Sequence, residues 1–136
     1  MSNNAMTPEQ RIKRQILIDA DAHAKDGVRV EITADNVDAL FNEANKDWGL
    51  QDGIDGFRCS GTRTPEIPAP ISRHYEADSV ARQLDDGSWV GWAYWHGGGK
   101  HGEPEAIDWM GGAYDLETAE TKTCVVYVFK KVAVAA

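Results

Sequence analysis

The chain has 136 residues and a formal net charge of −8 at pH 7, a size that favours one domain with its own core. The polar N-terminus has no signal-peptide pattern, and no apolar stretch approaches the length that spans a bilayer. Lysine and arginine cluster nowhere beyond Lys130 and Lys131, whereas binding to a phosphate backbone needs a basic footprint. We therefore expect a cytoplasmic protein that binds neither nucleic acid nor a membrane, with residues 1–6 as a loose tail and 7–136 as a single domain.

Two helices are predicted in the first third of the chain. The run Thr7–Gln10 forms a capping box with proline at the first helical position, which starts a helix that runs to about Asp26. Gly27 is the expected end of this helix, and alternating apolar residues predict a short strand over 28–32. A second helix, 33–48, carries apolar residues at helical spacing.

The middle of the chain predicts a long loop followed by a β-hairpin. Residues 49–70 carry four glycines and three prolines, which favours an irregular loop. The run Asp85–Ser88 then predicts a hairpin between an extended segment, 71–84, and an aromatic strand that begins at Trp89. A helix over 76–81 stays open as an alternative within this segment. The central Asp-Gly pair suits a two-residue type I′ turn, which would place Trp89 opposite Leu84.

This register divides the hairpin into two faces. The predicted core face carries Val80, Leu84, Trp89, Ala93 and Trp95. The predicted outer face carries Ser79, Ala81, Gln83, Val90, Trp92 and Tyr94. Because the outer face is aromatic among small and polar neighbours, it is the expected surface for a ligand or partner.

The last third predicts a helix and an inner strand. Residues 104–110 suit a third helix, and Thr121–Phe129 has apolar residues on both faces, as a strand inside a sheet does. Cys59 and Cys124 share no motif and are expected to be free thiols, with Cys124 in the core. The order α-β-α-loop-β-β-α-β predicts an α+β fold, with two or three helices on one face of a mostly antiparallel sheet.

Four of the five tryptophans fall in the run SWVGWAYWHGGGKHGEPEAIDWM, which begins at Ser88. Over about residues 89–116 the chain resembles small uncharacterised bacterial and prophage-encoded proteins. The resemblance implies no activity, but it favours an origin in a phage or mobile element.

The candidate binding site is the glycine-rich loop that follows the aromatic strand. Its proposed contact residues are Trp92, Tyr94, His96, Gly97, Gly98, Gly99, Lys100 and His101. Glycines let backbone amides approach an anion, and Lys100 adds a positive charge. A carboxylate or small anion fits better than a nucleotide, because His101 stands where a phosphate-binding loop has serine or threonine.

The same loop supports metal, acid–base and structural interpretations. His96, His101 and Glu103 are candidate metal ligands, since imidazole and carboxylate suit zinc, manganese or iron. His101, Glu103 and Glu105 are candidate acid–base residues. A structural turn also accounts for every residue type, because proline and two carboxylates suit a helix entry.

Our leading hypothesis is a small binding or interaction domain for a protein or small-molecule partner, using the outer aromatic face and loop 97–103. The alternative is a metal-assisted or acid–base hydrolase that uses His96, His101, Glu103 and Glu105. A third hypothesis is a phage protein that inhibits a host factor through its acidic surface. No cofactor is predicted, and both a monomer and a homodimer remain open.

Overall fold

The computed structural model describes residues 6–73, 75–97, 104, 107–118 and 121–133. Within them, the helices are α1 (Pro8–Asp19), α2 (Val37–Ala44) and α3 (Gln51–Arg58). The strands are β1 (Ala24–Lys25), β2 (Val28–Arg29), β3 (Thr62–Arg63), β4 (Glu76–Gln83), β5 (Trp89–His96) and β6 (Tyr114–Leu116). No helix among these residues combines the length and apolar character needed to cross a membrane.

The main sheet has four antiparallel strands in the order β3-β4-β5-β6, and β1 and β2 form a separate hairpin. Helix α1 contacts α2, α3 and β6, and Phe57 of α3 lies 5.1 Å from Trp92 of β5 between ring centroids. The predicted α+β class with an antiparallel sheet is therefore confirmed. Met6, which was assigned to the loose tail, is buried in the core instead.

Helix α1 begins as predicted but ends about seven residues earlier than Asp26. The Thr7 hydroxyl accepts a hydrogen bond from the Gln10 amide, and the Gln10 side chain accepts one from the Thr7 amide. The chain leaves the helix after Asp19, and Asp26 and Gly27 both have positive φ in the turn between β1 and β2. This Asp-Gly pair is a hairpin turn rather than a helix stop.

The second helix is also shorter than predicted, and the long loop contains a third. After Ala44 the backbone is left-handed at Asp47 and Trp48, and the Trp48 side chain is 76% exposed. Residues 51–58 of the predicted loop are α3, in spite of two glycines. Burial of Phe57 against the sheet outweighs the low helix propensity of glycine.

The turn between β4 and β5 has three residues rather than two. The Gly87 amide donates to the Leu84 carbonyl, the Leu84 amide donates to the Ser88 carbonyl, and only Gly87 has positive φ. This is a type I turn followed by a glycine bulge. It shifts the register by one residue, so that Trp89 lies opposite Gln83 and Trp92 lies opposite Val80.

The shifted register reverses the two faces of β5. Val90 and Trp92 lie on the helix-covered face with Val80 and are fully buried, whereas Trp89 and Trp95 are half-buried. The prediction that Trp92 faces a ligand or partner is therefore wrong. Its indole contacts Phe57 and Trp109 and donates a hydrogen bond to a backbone carbonyl.

Three further predictions fail in the last third of the chain. Residues 107–110 are not helical, because the Asp108 carboxylate accepts a hydrogen bond from the Gly111 amide and fixes a turn. The segment 121–133 forms no strand, and Cys124 is exposed rather than buried. Its five residues from Val125 to Phe129 are 76–91% exposed.

Candidate functional site

The two central strands bring titratable groups together where β4 begins and β5 ends. The register places Glu76 opposite His96 and Asp78 opposite Tyr94, all on the helix-covered face. The Nε2 atom of His96 lies 3.1 Å from Oδ2 of Asp78, and its Nδ1 lies 3.7 Å from Oε2 of Glu76. Each ring nitrogen of His96 therefore has a carboxylate nearby.

Asp78 also pairs with an arginine of the neighbouring strand. The Nη2 atom of Arg63 lies 3.3 Å from the same Oδ2 atom that contacts His96. The Arg63 side chain is largely exposed, whereas Asp78 and His96 are half-buried. Asp78 thus fixes the position of the imidazole and holds one guanidinium at the surface.

Behind His96, aromatic and cationic side chains form a layered arrangement that we call the Arg58–Tyr94–His96 stack. The rings of Tyr94 and His96 are 5.7 Å apart between centroids and are inclined by 27°. The guanidinium carbon of Arg58 lies 4.6 Å from the centre of the Tyr94 ring. A cation over an aromatic face is attracted by the ring quadrupole, so the stack holds Arg58 in place.

Arg58 is the most unusual residue of this stack, because it is buried and pairs with no carboxylate of the described residues. It is the last residue of α3 and is only 7% exposed. One Nη group donates to the Trp95 carbonyl, but its Nε has no hydrogen-bond partner. No carboxylate of the described residues forms an ion pair with it, as Asp78 does with Arg63.

A buried charge without a counter-charge is energetically costly, and arginine cannot escape the cost by losing its proton. The cation–π contact and the bond to the Trp95 carbonyl offset only part of this cost. The Nε donor of the Arg58 guanidinium is therefore left without a partner among the described residues.

An open cleft of about 410 Å³ adjoins the His96 end of the sheet. Its lining residues come from two stretches of chain and are Pro70, Ile71, Ser72, Tyr75, Glu76, Ala77, Asp78 and His96. The lining combines apolar and aromatic side chains with two carboxylates and an imidazole. Such a mixture suits contact with a side chain or a small ligand.

Of the predicted site residues, Tyr94, His96 and Gly97 come together at this end of the sheet, while Trp92 lies in the core. The remaining predicted residues lie outside the described part of the chain, and the hypotheses that depend on them stay predictions. They are Gly98, Gly99, Lys100, His101, Glu103 and Glu105. Within the described ranges, no three histidine, cysteine, aspartate or glutamate side chains form a group suited to a metal ion.

Arg58, Arg63 and Asp78 were missed at the sequence level. Arg58 lay in a predicted loop, although Leu50, Ile54 and Phe57 have helical spacing that would have placed it on a helix. To predict Asp78 as a site residue, the correct hairpin register was needed, because only that register puts Asp78 beside His96.

Three comparisons with known proteins give no relative for this chain. No family model, no curated protein sequence and no solved structure matches it. The geometry of the site therefore carries the functional argument.

Proposed function

We propose that the protein is a binding domain whose site is the Arg58–Tyr94–His96 stack, and that its ligand bears a carboxylate. The observation that carries this proposal is the buried Arg58 guanidinium, whose Nε lacks a partner and which pairs with no described carboxylate. The carboxylate belongs to a small molecule or to an acidic side chain of a partner protein. The free thiols Cys59 and Cys124 support a location in the reducing cytoplasm.

The chemistry of arginine supports a carboxylate as the ligand. A guanidinium offers N–H donors in a planar fork that matches the two oxygens of a carboxylate. At Arg58 this fork is surrounded by Tyr94 and the β5 backbone, where the local dielectric is lower than in water. The net charge of −8 repels anions in general, so recognition rests on this local pairing.

The His96–Asp78 pair favours a second candidate function, which is acid–base hydrolysis. A carboxylate that holds one imidazole nitrogen orients the other toward a reacting group. In this alternative His96 acts with His101, Glu103 or Glu105, with or without a metal. Loss of a measured hydrolytic activity in His96→Gln, with carboxylate binding retained, would favour this alternative.

The test of the binding proposal compares Arg58→Met with the wild-type protein. Methionine removes the buried charge while keeping most of the side-chain volume, so the ligand-free variant should unfold at the same or a higher urea concentration. Acetate, glutarate and an acidic peptide should raise the melting temperature of the wild type but not that of Arg58→Met. Arg63→Met is the matched control, because this exposed arginine already has a partner.

Two results would contradict the proposal. One is that carboxylates, compared with chloride at equal ionic strength, leave the melting temperature of the wild type unchanged. The other is that Glu103→Gln or Glu105→Gln destabilises the wild type but not Arg58→Met, because the carboxylate would then come from the chain itself.

A further inference from the structure

The segment 121–133, which we call the C-terminal segment, exposes a continuous apolar surface. Its residues from Val125 to Phe129 are 76–91% exposed, and Val132 is exposed as well. The described residues of the sheet and helices, in contrast, bury most of their large apolar side chains. A contiguous exposed apolar patch on a small domain marks a surface that another chain covers.

The C-terminal segment has the sequence of a β-strand. Residues 123–129 read TCVVYVF, in which β-branched and aromatic residues predominate. The rings of Tyr127 and Phe129 lie 6.4 Å apart between centroids, which fits extended backbone with alternate residues on one side. Within the described residues this backbone pairs with no strand. The segment therefore has the shape and composition of a strand that lacks a sheet.

The same chain offers a sheet edge that lacks a strand. Strand β6 pairs with β5 through three residues, and no described strand pairs with its other edge. An open edge of this kind is a template for pairing with another extended segment. Tyr114 and Leu116 supply apolar side chains on β6, and the exposed carboxylate of Glu117 follows the strand. Asp115 of β6 is exposed as well and pairs with Arg11.

The charge of the C-terminal segment complements that of the rest of the chain. It holds three of the 14 basic residues, Lys122, Lys130 and Lys131, and no acidic residue. The rest of the chain is left with 11 basic and 22 acidic residues. The basic, apolar segment of one copy is therefore attracted to the acidic remainder of a second copy. This attraction favours encounter between copies.

We propose that residues 123–129 add as a strand to the β6 edge of a second copy of this chain. Each copy both donates a segment and receives one, so the assembly closes as a symmetric dimer. The valines and aromatic rings of the segment become buried beside Tyr114 and Leu116. Lys130 and Lys131 then lie near Glu117, which follows β6. This inference is independent of the carboxylate site.

The first experiment measures mass and backbone protection. Sedimentation of the wild-type protein should give a dimer, and hydrogen exchange should show protected amides over 123–129. Val128→Lys should give a monomer in which these amides exchange freely, because a charge replaces an apolar contact. Ile71→Lys is the matched control, since Ile71 is equally exposed but lies outside the C-terminal segment, and it should remain a dimer.

The second experiment uses charge reversal on the two halves of the interface. Glu117→Lys makes the edge basic, and Lys130→Glu with Lys131→Glu makes the segment acidic. Each variant alone should dimerise more weakly than the wild type, because like charges then meet in both contacts. An equal mixture should recover a dimer, since both contacts in a mixed dimer join opposite charges.

Three outcomes overturn the inference. A wild-type monomer with protected segment amides means that the segment folds onto its own sheet. A wild-type monomer with freely exchanging amides means that the segment does not pair with a second copy. A dimer that survives Val128→Lys and both charge reversals means that the copies associate through another surface.

Discussion

Strand β5 and the C-terminal segment have similar compositions and opposite environments. Both consist largely of strand-forming residues, mainly aromatic in β5 and mainly β-branched in the segment, yet Trp92 is fully buried and Tyr127 is 76% exposed. The difference lies in their neighbours: β5 has β4 on one side, β6 on the other and α3 across its face, whereas no described strand adjoins the segment. Composition therefore predicts extended backbone, but neighbouring strands and helices decide burial.

The largest expected effect tests this difference directly. Trp92→Ala should lower the free energy of unfolding by about 3–5 kcal/mol, because it leaves a cavity between Phe57 and Trp109. Tyr127→Ala should change it by less than about 0.5 kcal/mol in dilute, monomeric protein. Urea unfolding checks both values. A similar loss for both variants would mean that the C-terminal segment packs on its own domain.

A smaller effect concerns close packing within the sheet. A Cβ atom on Gly91 would lie 2.5 Å from the Tyr114 ring, so Gly91→Ala should cost about 1–3 kcal/mol by separating β5 from β6. A Cβ atom on Gly56 of α3 would meet no atom within 4 Å. Gly56→Ala should raise stability by about 0.5–1 kcal/mol, since alanine is the better helix former. If both glycines tolerate alanine equally, β6 is not packed on β5 as described.

The smallest effect is the change of folding stability with acid. It concerns the rest of the chain, because the C-terminal segment has no carboxylate side chain. A hydrogen bond from Gln10, and then Lys13, lowers the pKa of Asp38 below its ordinary value of 3.8. A lowered folded-state pKa stabilises the protein above the ordinary value, and this stability is lost as pH falls through the folded-state pKa. Since Asp38 is exposed, the contribution is less than about 1 kcal/mol.

Asp38→Asn checks this effect. Urea unfolding between about pH 5 and pH 2 should show a shallower loss of stability in the variant than in the wild type. Asp115→Asn is not a suitable control, because Asp115 pairs with Arg11 of α1. Asp35→Asn is the matched control for the loss of one exposed carboxylate, since Asp35 lies in the turn before α2. Equal slopes for the wild type and Asp38→Asn would contradict the prediction.

Local signals predicted the parts of the fold that local interactions decide. The capping box at Thr7 and the extended run of β5 are confirmed, and of the two alternatives for residues 76–81 the structure shows the strand, β4. The two Asp-Gly pairs were assigned the wrong roles, because Asp26-Gly27 makes the two-residue hairpin turn and Asp86-Gly87 does not. The difference lies in backbone angles that tertiary packing sets and that the dipeptide alone does not specify.

The candidate site was predicted only in part, for the same reason. Tyr94 and His96 follow directly from the strand, but Asp78 and Arg63 reach His96 through strand pairing. Arg58 comes from a helix 37 residues away from the Trp95 carbonyl that it contacts. A buried arginine without a counter-charge has no signature in sequence, since its burial depends on β5 lying across α3.

The number of residues in the turn at Gly87 decides which side chains of β5 point toward the helices. If one residue were removed from this turn, the register would shift by one and every side chain of β5 would move to the opposite face of the sheet. Trp89 and Trp95 would then enter the core, and Trp92 would leave it. Strand β5 thus carries large aromatic side chains on both faces, Trp89 and Trp95 on one and Trp92 and Tyr94 on the other, and the length of the turn decides which face meets the helices. A one-residue deletion in this turn would therefore exchange the buried and the outer face of β5.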